Sequence, residues 1–95
     1  ELFLEFKGIG KTIDGGKTWK FVNNKSVEKN KEGYLTGSSW LNNGYGWLAF
    51  ENGNLIKTTD YGTNWTEKVL DRSINDVYFV NQNIGYFADR KSTRL

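Results

Sequence analysis

The chain has 95 residues, 16% of them aromatic, no cysteine, histidine, methionine or proline, and a formal charge of +2. Without cysteine there is neither a disulfide frame nor a thiolate metal site, and without histidine the usual general base and the commonest metal ligand are missing. The length suits one small domain or a piece of a larger one, and no apolar run approaches a membrane span. Lacking a methionine to start from, the chain is expected to be a segment of a longer protein. This stretch holds no signal peptide.

Taken in order, the chain reads as short strands separated by turn-forming residues. Leu2–Phe6 is one strand. Gly8–Asp14 is the next, running into Thr12-Ile13-Asp14-Gly15-Gly16-Lys17-Thr18-Trp19 and returning as Trp19–Val22. Residues 23–33, NNKSVEKNKEG, form a polar insertion loop whose lysines alternate with Glu28 and Glu32. Tyr34–Leu41 follows, and Asn42-Asn43-Gly44 turns it into Gly46–Phe50. Asn52-Gly53 is a tight hairpin turn. Leu55–Thr59 enters Thr58-Thr59-Asp60-Tyr61-Gly62-Thr63-Asn64-Trp65, and Trp65–Leu70 leaves it. Ile74–Val80 and Ile84–Ala88 close the series. No helix of any length is predicted. Apolar residues occupy both faces of several strands, as at Trp47, Leu48, Ala49 and Phe50, so these sheets need cover on both sides.

Two correspondences run through this order. The stretches beginning at Thr12 and Thr58 both read [ST]-x-D-x-G-x-x-W, both follow a lysine, and lie 46 positions apart. Chance supplies such a match at roughly one position in 10⁵. Trp40–Ala49 also aligns with Phe79–Ala88 at an offset of 39, and the insertion at residues 23–33 accounts for the difference of seven. A period of about 40–50 residues is that of a four-stranded propeller blade. Each eight-residue stretch has the chemistry of a hairpin turn. A short carboxylate accepts backbone N–H groups a few residues on, glycine supplies positive φ, and the tryptophan packs back over the turn.

The pattern resembles the Asp-box, or bacterial neuraminidase repeat, which closes one hairpin in each blade of certain β-propellers. With Gly46-Trp47-Leu48-Ala49-Phe50, Asn52-Gly53 and Leu55-Ile56-Lys57-Thr58-Thr59-Asp60, the chain is similar over nearly its whole length to photosystem II stability/assembly-factor-like propeller repeats. The resemblance implies an all-β fold, a fragment of a β-propeller with one complete four-stranded blade flanked by two partial blades. Residues 1–22 are then the last three strands of one blade, 34–70 the complete blade and 71–88 the first two strands of another. In such repeats the turns sit at the outer part of the blade, away from the ligand face. Thr12, Asp14, Gly16, Thr18, Trp19, Thr58, Asp60, Gly62 and Trp65 are therefore structural residues. The second copy differs in carrying Asn64 for Thr18 and Tyr61 for Gly15.

Residues 89–95, Asp89-Arg90-Lys91-Ser92-Thr93-Arg94-Leu95, break the pattern. They are what the DNA string GATCGGAAGAGCACACGTCTG encodes, which resembles a sequencing-library adapter, and they are expected to be non-native. Without them ten basic and ten acidic residues remain. The charge then points to no nucleic-acid partner, and no membrane insertion is expected in this segment.

No catalytic residue, cofactor site or metal site is expected. Glu51, Glu67, Asp71 and Asp76 are the carboxylates available for a glycosidase pair, which must flank the scissile bond; they read as solvated loop charges. Sialidases with Asp-boxes also need an arginine cluster for the substrate carboxylate, and before residue 89 Arg72 is the only arginine. Tyr45, Trp47 and Tyr86 are the candidates for exposed contacts with a sugar or a partner, but Trp47 and Tyr86 align across the repeats, which favours a repeated packing role for those two. Asn24-Lys25-Ser26 and Asn64-Trp65-Thr66 fit the glycosylation sequon. The resemblance implies a non-catalytic binding or assembly scaffold in an exported protein, periplasmic, lumenal or at the cell surface. Its partners would be a protein or a glycan, besides the remaining blades of the same chain. The alternative is an extracellular glycoside hydrolase of sialidase or xyloglucanase type with its catalytic residues elsewhere. With apolar faces left bare, the isolated 95-residue chain is expected to be poorly stable or to aggregate. A cooperative thermal transition of a monomer, followed by circular dichroism, would contradict this.

Overall fold

Strands form where β-branched and aromatic residues fall in short runs bounded by Asn and Gly. The computed structural model describes residues 4–89. In chain order the elements are β1 (Leu4–Glu5), β2 (Gly10–Lys11), β3 (Lys20–Phe21), α1 (Lys25–Lys29), β4 (Tyr34–Trp40), β5 (Gly46–Phe50), β6 (Asn54–Thr58), β7 (Thr66–Val69), β8 (Asp76–Phe79) and β9 (Gly85–Ala88). The fold is mostly β, built of antiparallel sheets. A five-stranded sheet has the order β1-β4-β5-β6-β7, and β2-β3 and β8-β9 are two-stranded hairpins. No helix among the described residues is long and apolar enough to cross a membrane.

Strand β5 is buried along its whole length. Leu48 and Phe50 point to one face, where they form a core with Phe6, Val27, Ile56 and Trp65, with Ile9, Val22 and Leu35 packed against it. The opposite face carries Ala49, covered by Ile74 and Val77 with Leu55, Leu70 and Phe79 alongside. There Trp47 stacks on Phe79, ring centroids 3.5 Å apart and planes 3° from parallel. Burial on both faces is what the sequence pattern of β5 requires.

The β8 strand is seated closely. A side chain at Gly37 would meet Asp76 and the Val77 nitrogen at 2.8 and 3.0 Å, so only glycine lets the β8 backbone lie on β4 there. A bulge between Leu35 and Gly37 turns Thr36, whose Oγ1 donates to the Ile74 carbonyl at 2.6 Å. The Phe79 N–H donates to Ser39 Oγ at 2.9 Å. The repeat offset of 39 reappears as a shared packing device. Trp40 lies over Gly46 across the β4–β5 pair, and Phe79 over Gly85 across the β8–β9 pair.

Two features differ from the sequence reading. Residues 1–22 were expected to contribute three strands to one unit, yet β1 pairs with β4, Leu4 opposite Leu35 and Glu5 opposite Tyr34. The cause is Phe6, which follows β1. Its ring meets Phe50 edge-on at 5.0 Å, its side chain is buried, and its N–H donates to the Gly33 carbonyl at 2.9 Å. Second, the polar insertion contains the helix α1. Asn24 caps it, accepting from the Ser26 N–H at 2.9 Å, and Val27 is fully buried. Asn30, also buried, donates to the Ser26 carbonyl at 2.8 Å and accepts from Asn54 at 2.9 Å. Lys29 reaches Glu67 of β7 at 2.8 Å. One apolar residue in an otherwise polar stretch leaves no periodicity to read, so the helix escapes a pattern search.

Ile56→Ala is expected to cost about 2–5 kcal/mol, enough to unfold a marginal chain, whereas Val69→Ala, on an exposed position, should stay within about 0.5 kcal/mol. Far-UV circular dichroism with urea titration of the two variants checks this.

Candidate functional site

The two repeated turns have the same internal wiring. In the first, Thr12 Oγ1 donates to Asp14 Oδ1 at 2.8 Å and accepts from the Gly16 N–H at 3.0 Å. Asp14 Oδ1 also accepts from the N–H groups of Lys17 and Thr18, at 3.1 and 2.9 Å. Its Oδ2 accepts from the Thr18 hydroxyl at 2.5 Å. Trp19 Nε1 donates to the Gly16 carbonyl at 3.0 Å. In the second, Thr58 Oγ1 donates to Asp60 Oδ1 at 2.9 Å and accepts from the Gly62 N–H at 2.9 Å. The Asn64 N–H donates to Asp60 Oδ1 at 2.9 Å, and Trp65 Nε1 to the Gly62 carbonyl at 2.9 Å.

The two departures in the second copy have a physical account. Asn64 Nδ2 donates to Asp60 Oδ2 at 2.8 Å, replacing the Thr18 hydroxyl with an amide donor. Tyr61 takes φ +60°, the left-handed conformation that Gly15 holds at +73°. That conformation costs a residue with a Cβ about 1 kcal/mol or more. The ring offsets it by lying against Gly44, while the Tyr61 N–H donates to the Gly44 carbonyl at 2.9 Å. The second turn is thereby tied to the turn joining β4 and β5.

Both carboxyls are held well below their ordinary range, at about 2. For Asp14 the Thr18 hydroxyl contributes most, then the Thr18 N–H and the Thr12 hydroxyl. For Asp60 the order is the Asn64 N–H, the Asn64 side-chain amide and the Thr58 hydroxyl. Donors within the turn thus occupy both oxygens of each carboxylate. Chemically the arrangement is a staple, with both carboxylate oxygens bonded within their own loop.

The surroundings of the turns differ. Trp65 is 6% exposed, with Trp40 edge-on at 5.9 Å, whereas Trp19 is 62% exposed. A cleft of about 580 Å³ opens beside the first turn, lined by Lys11, Ile13, Lys20, Phe21 and Val22 and by Gly62 and Thr63 of the second turn. A smaller one of about 270 Å³ is lined by Trp19, Trp40, Tyr61 and Trp65. Its aromatic walls suit a flat apolar face or a sugar ring.

The three aromatics singled out from sequence have different fates. Tyr86 is 65% exposed. Tyr45 is half-buried, tilted against Trp47 at 6.0 Å, with the Lys57 ammonium 5.4 Å from its ring centre. Trp47, a candidate for an exposed contact, is 2% exposed and stacked on Phe79, so it takes the packing role that its alignment favours. Tyr86 does not share that role, because the element that covers Trp47 is not repeated over it.

Glu67, Asp71 and Asp76 each have a partner of their own. Glu67 is on β7, mostly buried and paired with Lys29, not a solvated loop charge. Asp71 is fully exposed with Arg72 Nε at 3.9 Å, and Arg72 Nη1 donates to Asp89 at 3.1 Å. Asp76 accepts from the Val77 N–H at 2.9 Å. No group of three carboxylate, histidine or cysteine side chains able to hold a metal occurs among the described residues. Asn24 and Asn64 of the two sequons are both engaged, one in the helix cap and one in the turn. Apart from Asp89, the suspect tail lies outside the described residues. Compared with family models, with curated proteins and with solved structures, the chain matches none.

Because Asp14 and Asp60 titrate lower in the folded chain than unfolded, the unfolded chain takes up their protons first as pH falls. Their contribution is therefore complete above about pH 4 and is lost as pH drops towards 2. Asp60→Asn is expected to remove part of that acid limb. Denaturation midpoints of both proteins between these pH values provide the check.

Proposed function

We propose that this chain is part of an Asp-box β-propeller, like the photosystem II stability/assembly-factor-like repeats, serving as a non-catalytic binding or assembly scaffold in an exported protein. The observation that carries the reading is the closed wiring of the two turns, in which each aspartate is consumed by its own hairpin. A sequence motif that recurs with nearly the same internal bonds, its own donors on both carboxylate oxygens, supports a geometric role. Stacked antiparallel sheets that cover both faces of β5 support a repeat array. The aromatic-lined cleft between Trp19, Trp40, Tyr61 and Trp65 supports recognition of a glycan or of an apolar protein side chain.

The glycoside-hydrolase alternative gains nothing here, since Glu67 is paired with Lys29 and Arg72 is the one arginine before residue 89. The protein, with whatever blades accompany this segment, is expected to show no turnover of fluorogenic sialosides or β-glucans. Hydrolysis above the buffer rate would overturn the scaffold reading.

A further inference from the structure

The sequence holds two Asn-Gly pairs, Asn43-Gly44 in the turn between β4 and β5 and Asn52-Gly53 in the turn between β5 and β6. An asparagine before glycine carries an electrophile and a nucleophile side by side. The side-chain amide carbon is the first, the next backbone nitrogen the second, and glycine has no Cβ to keep them apart. Both asparagines are exposed. Both curl over their glycine, since each Oδ1 accepts from the N–H two residues on, Asn43 from Tyr45 at 3.3 Å and Asn52 from Asn54 at 3.0 Å. A donor on that oxygen favours the negative charge that develops there when the carbonyl is attacked. The electrophiles are thus alike.

The nucleophiles differ. The Gly53 N–H donates to the Phe50 carbonyl at 3.0 Å, and the Gly53 carbonyl accepts from the Leu70 N–H at 2.9 Å. A side chain at Gly53 would meet the carbonyl oxygens of Leu70 and Arg72 at 2.5 and 2.7 Å, so main chain walls it in. Among the described residues nothing accepts from the Gly44 N–H. Gly44 is buried too, but a side chain there would first meet the ring of Tyr61, at 3.0 Å, and that ring belongs to a residue 62% exposed. Freeing the Gly53 nitrogen breaks a backbone hydrogen bond, whereas reaching the Gly44 nitrogen asks only that a surface ring shift. Asp14-Gly15 is a related pair, but its side chain has no amine to expel, and donors of its own loop hold both oxygens.

We propose that Asn43 is a site of spontaneous deamidation in the folded protein, and that the fold holds Asn52 back. The Gly44 N–H gives its proton to hydroxide, and the nitrogen attacks Asn43 Cγ. The N–Cγ bond forms, the Cγ–Nδ2 bond breaks, and Nδ2 takes a proton from water and leaves as ammonia. Water then opens the cyclic imide. Cleavage of N–Cγ gives aspartate, and cleavage at the main-chain carbonyl gives isoaspartate, whose main chain runs through the side-chain carbon. The product lies at a joint between repeats. Asn43 Nδ2 donates to Oε1 of Gln82, the residue at the repeat-equivalent position, at 3.0 Å. Gln82 can turn its amide to donate to a carboxylate, so aspartate keeps that link and adds a negative charge. Isoaspartate lengthens the main chain just where the Gly44 carbonyl accepts from the Tyr61 N–H.

The full-length protein is kept in mildly alkaline buffer, native in one arm and in concentrated urea in the other. Mass spectrometry of peptides that separate the two sites follows the mass gained as amide becomes acid. In the native arm Asn43 is expected to convert about tenfold faster than Asn52, the rate equivalent of the hydrogen bond that Gly53 must give up. In urea the two rates are expected to converge, because neither glycine is then held. Equal rates in the native arm, faster conversion at Asn52, or an unchanged Asn43 over the time in which the urea arm reacts overturns the inference. A preference for Asn43 that persists in urea overturns it as well, since the local sequence and not the fold would then select the site.

Discussion

Leu48 and Phe50 meet Phe6 and Val27 on one side of β5, while Trp47 and Ala49 meet Phe79 and Val77 on the other. Burying a side chain the size of Leu48 or Phe50 is worth about 1.5–3 kcal/mol. Trp47 and Phe50 are among the largest fully buried side chains of the described residues, so the remaining elements are placed by the need to cover this strand twice. The helix α1 and Phe6 supply one cover and β8 the other. Gly37, the Thr36 bulge and Ser39 let the second cover approach. The stacking of sheets in this protein is thus a consequence of one strand that is apolar on both faces.

Of the turns at residues 12–19 and 58–65, the second joins that stacking by placing Trp65 in the core beside Leu48 and Phe50, while Trp19 of the first stays exposed. Each spends its carboxylate on donors from its own loop, which fixes the angle at which one strand leaves and the next returns. The same wiring appears in an exposed and in a buried setting, so the turn needs no outside support. Its surroundings vary instead, and the aromatic-walled cleft arises in the space between the first turn and the central sheet. Binding, on the scaffold reading, belongs to such spaces between units and not to the repeated aspartates themselves.

Much of the strand order was legible. Asn-Gly pairs, the run from Gly46 to Phe50 and the repeated Asp and Trp positions locate the neighbourhoods of all nine strands and both staples because these signals are local. Even the replacement of Thr18 by Asn64 was readable as tolerable, though the structure was needed to show the amide making the same bond. What escaped was decided by cover. Trp47 and Tyr86 occupy equivalent positions, yet one is buried and the other bare, since Phe79 reaches only the first. Val27 gives no pattern by itself, and its burial depends on Phe50 and Phe6 lying opposite.

By itself, then, the sequence determined the strands, the turn chemistry and the two repeat offsets, for these depend on side chains and backbone within a few residues of each other. Only the tertiary structure decided that β1 leaves its neighbours for β4, that the polar insertion coils into α1, and that Trp47 is core. Those outcomes depend on which apolar faces meet across long separations in the chain, and a local pattern says that a face must be covered without saying by what.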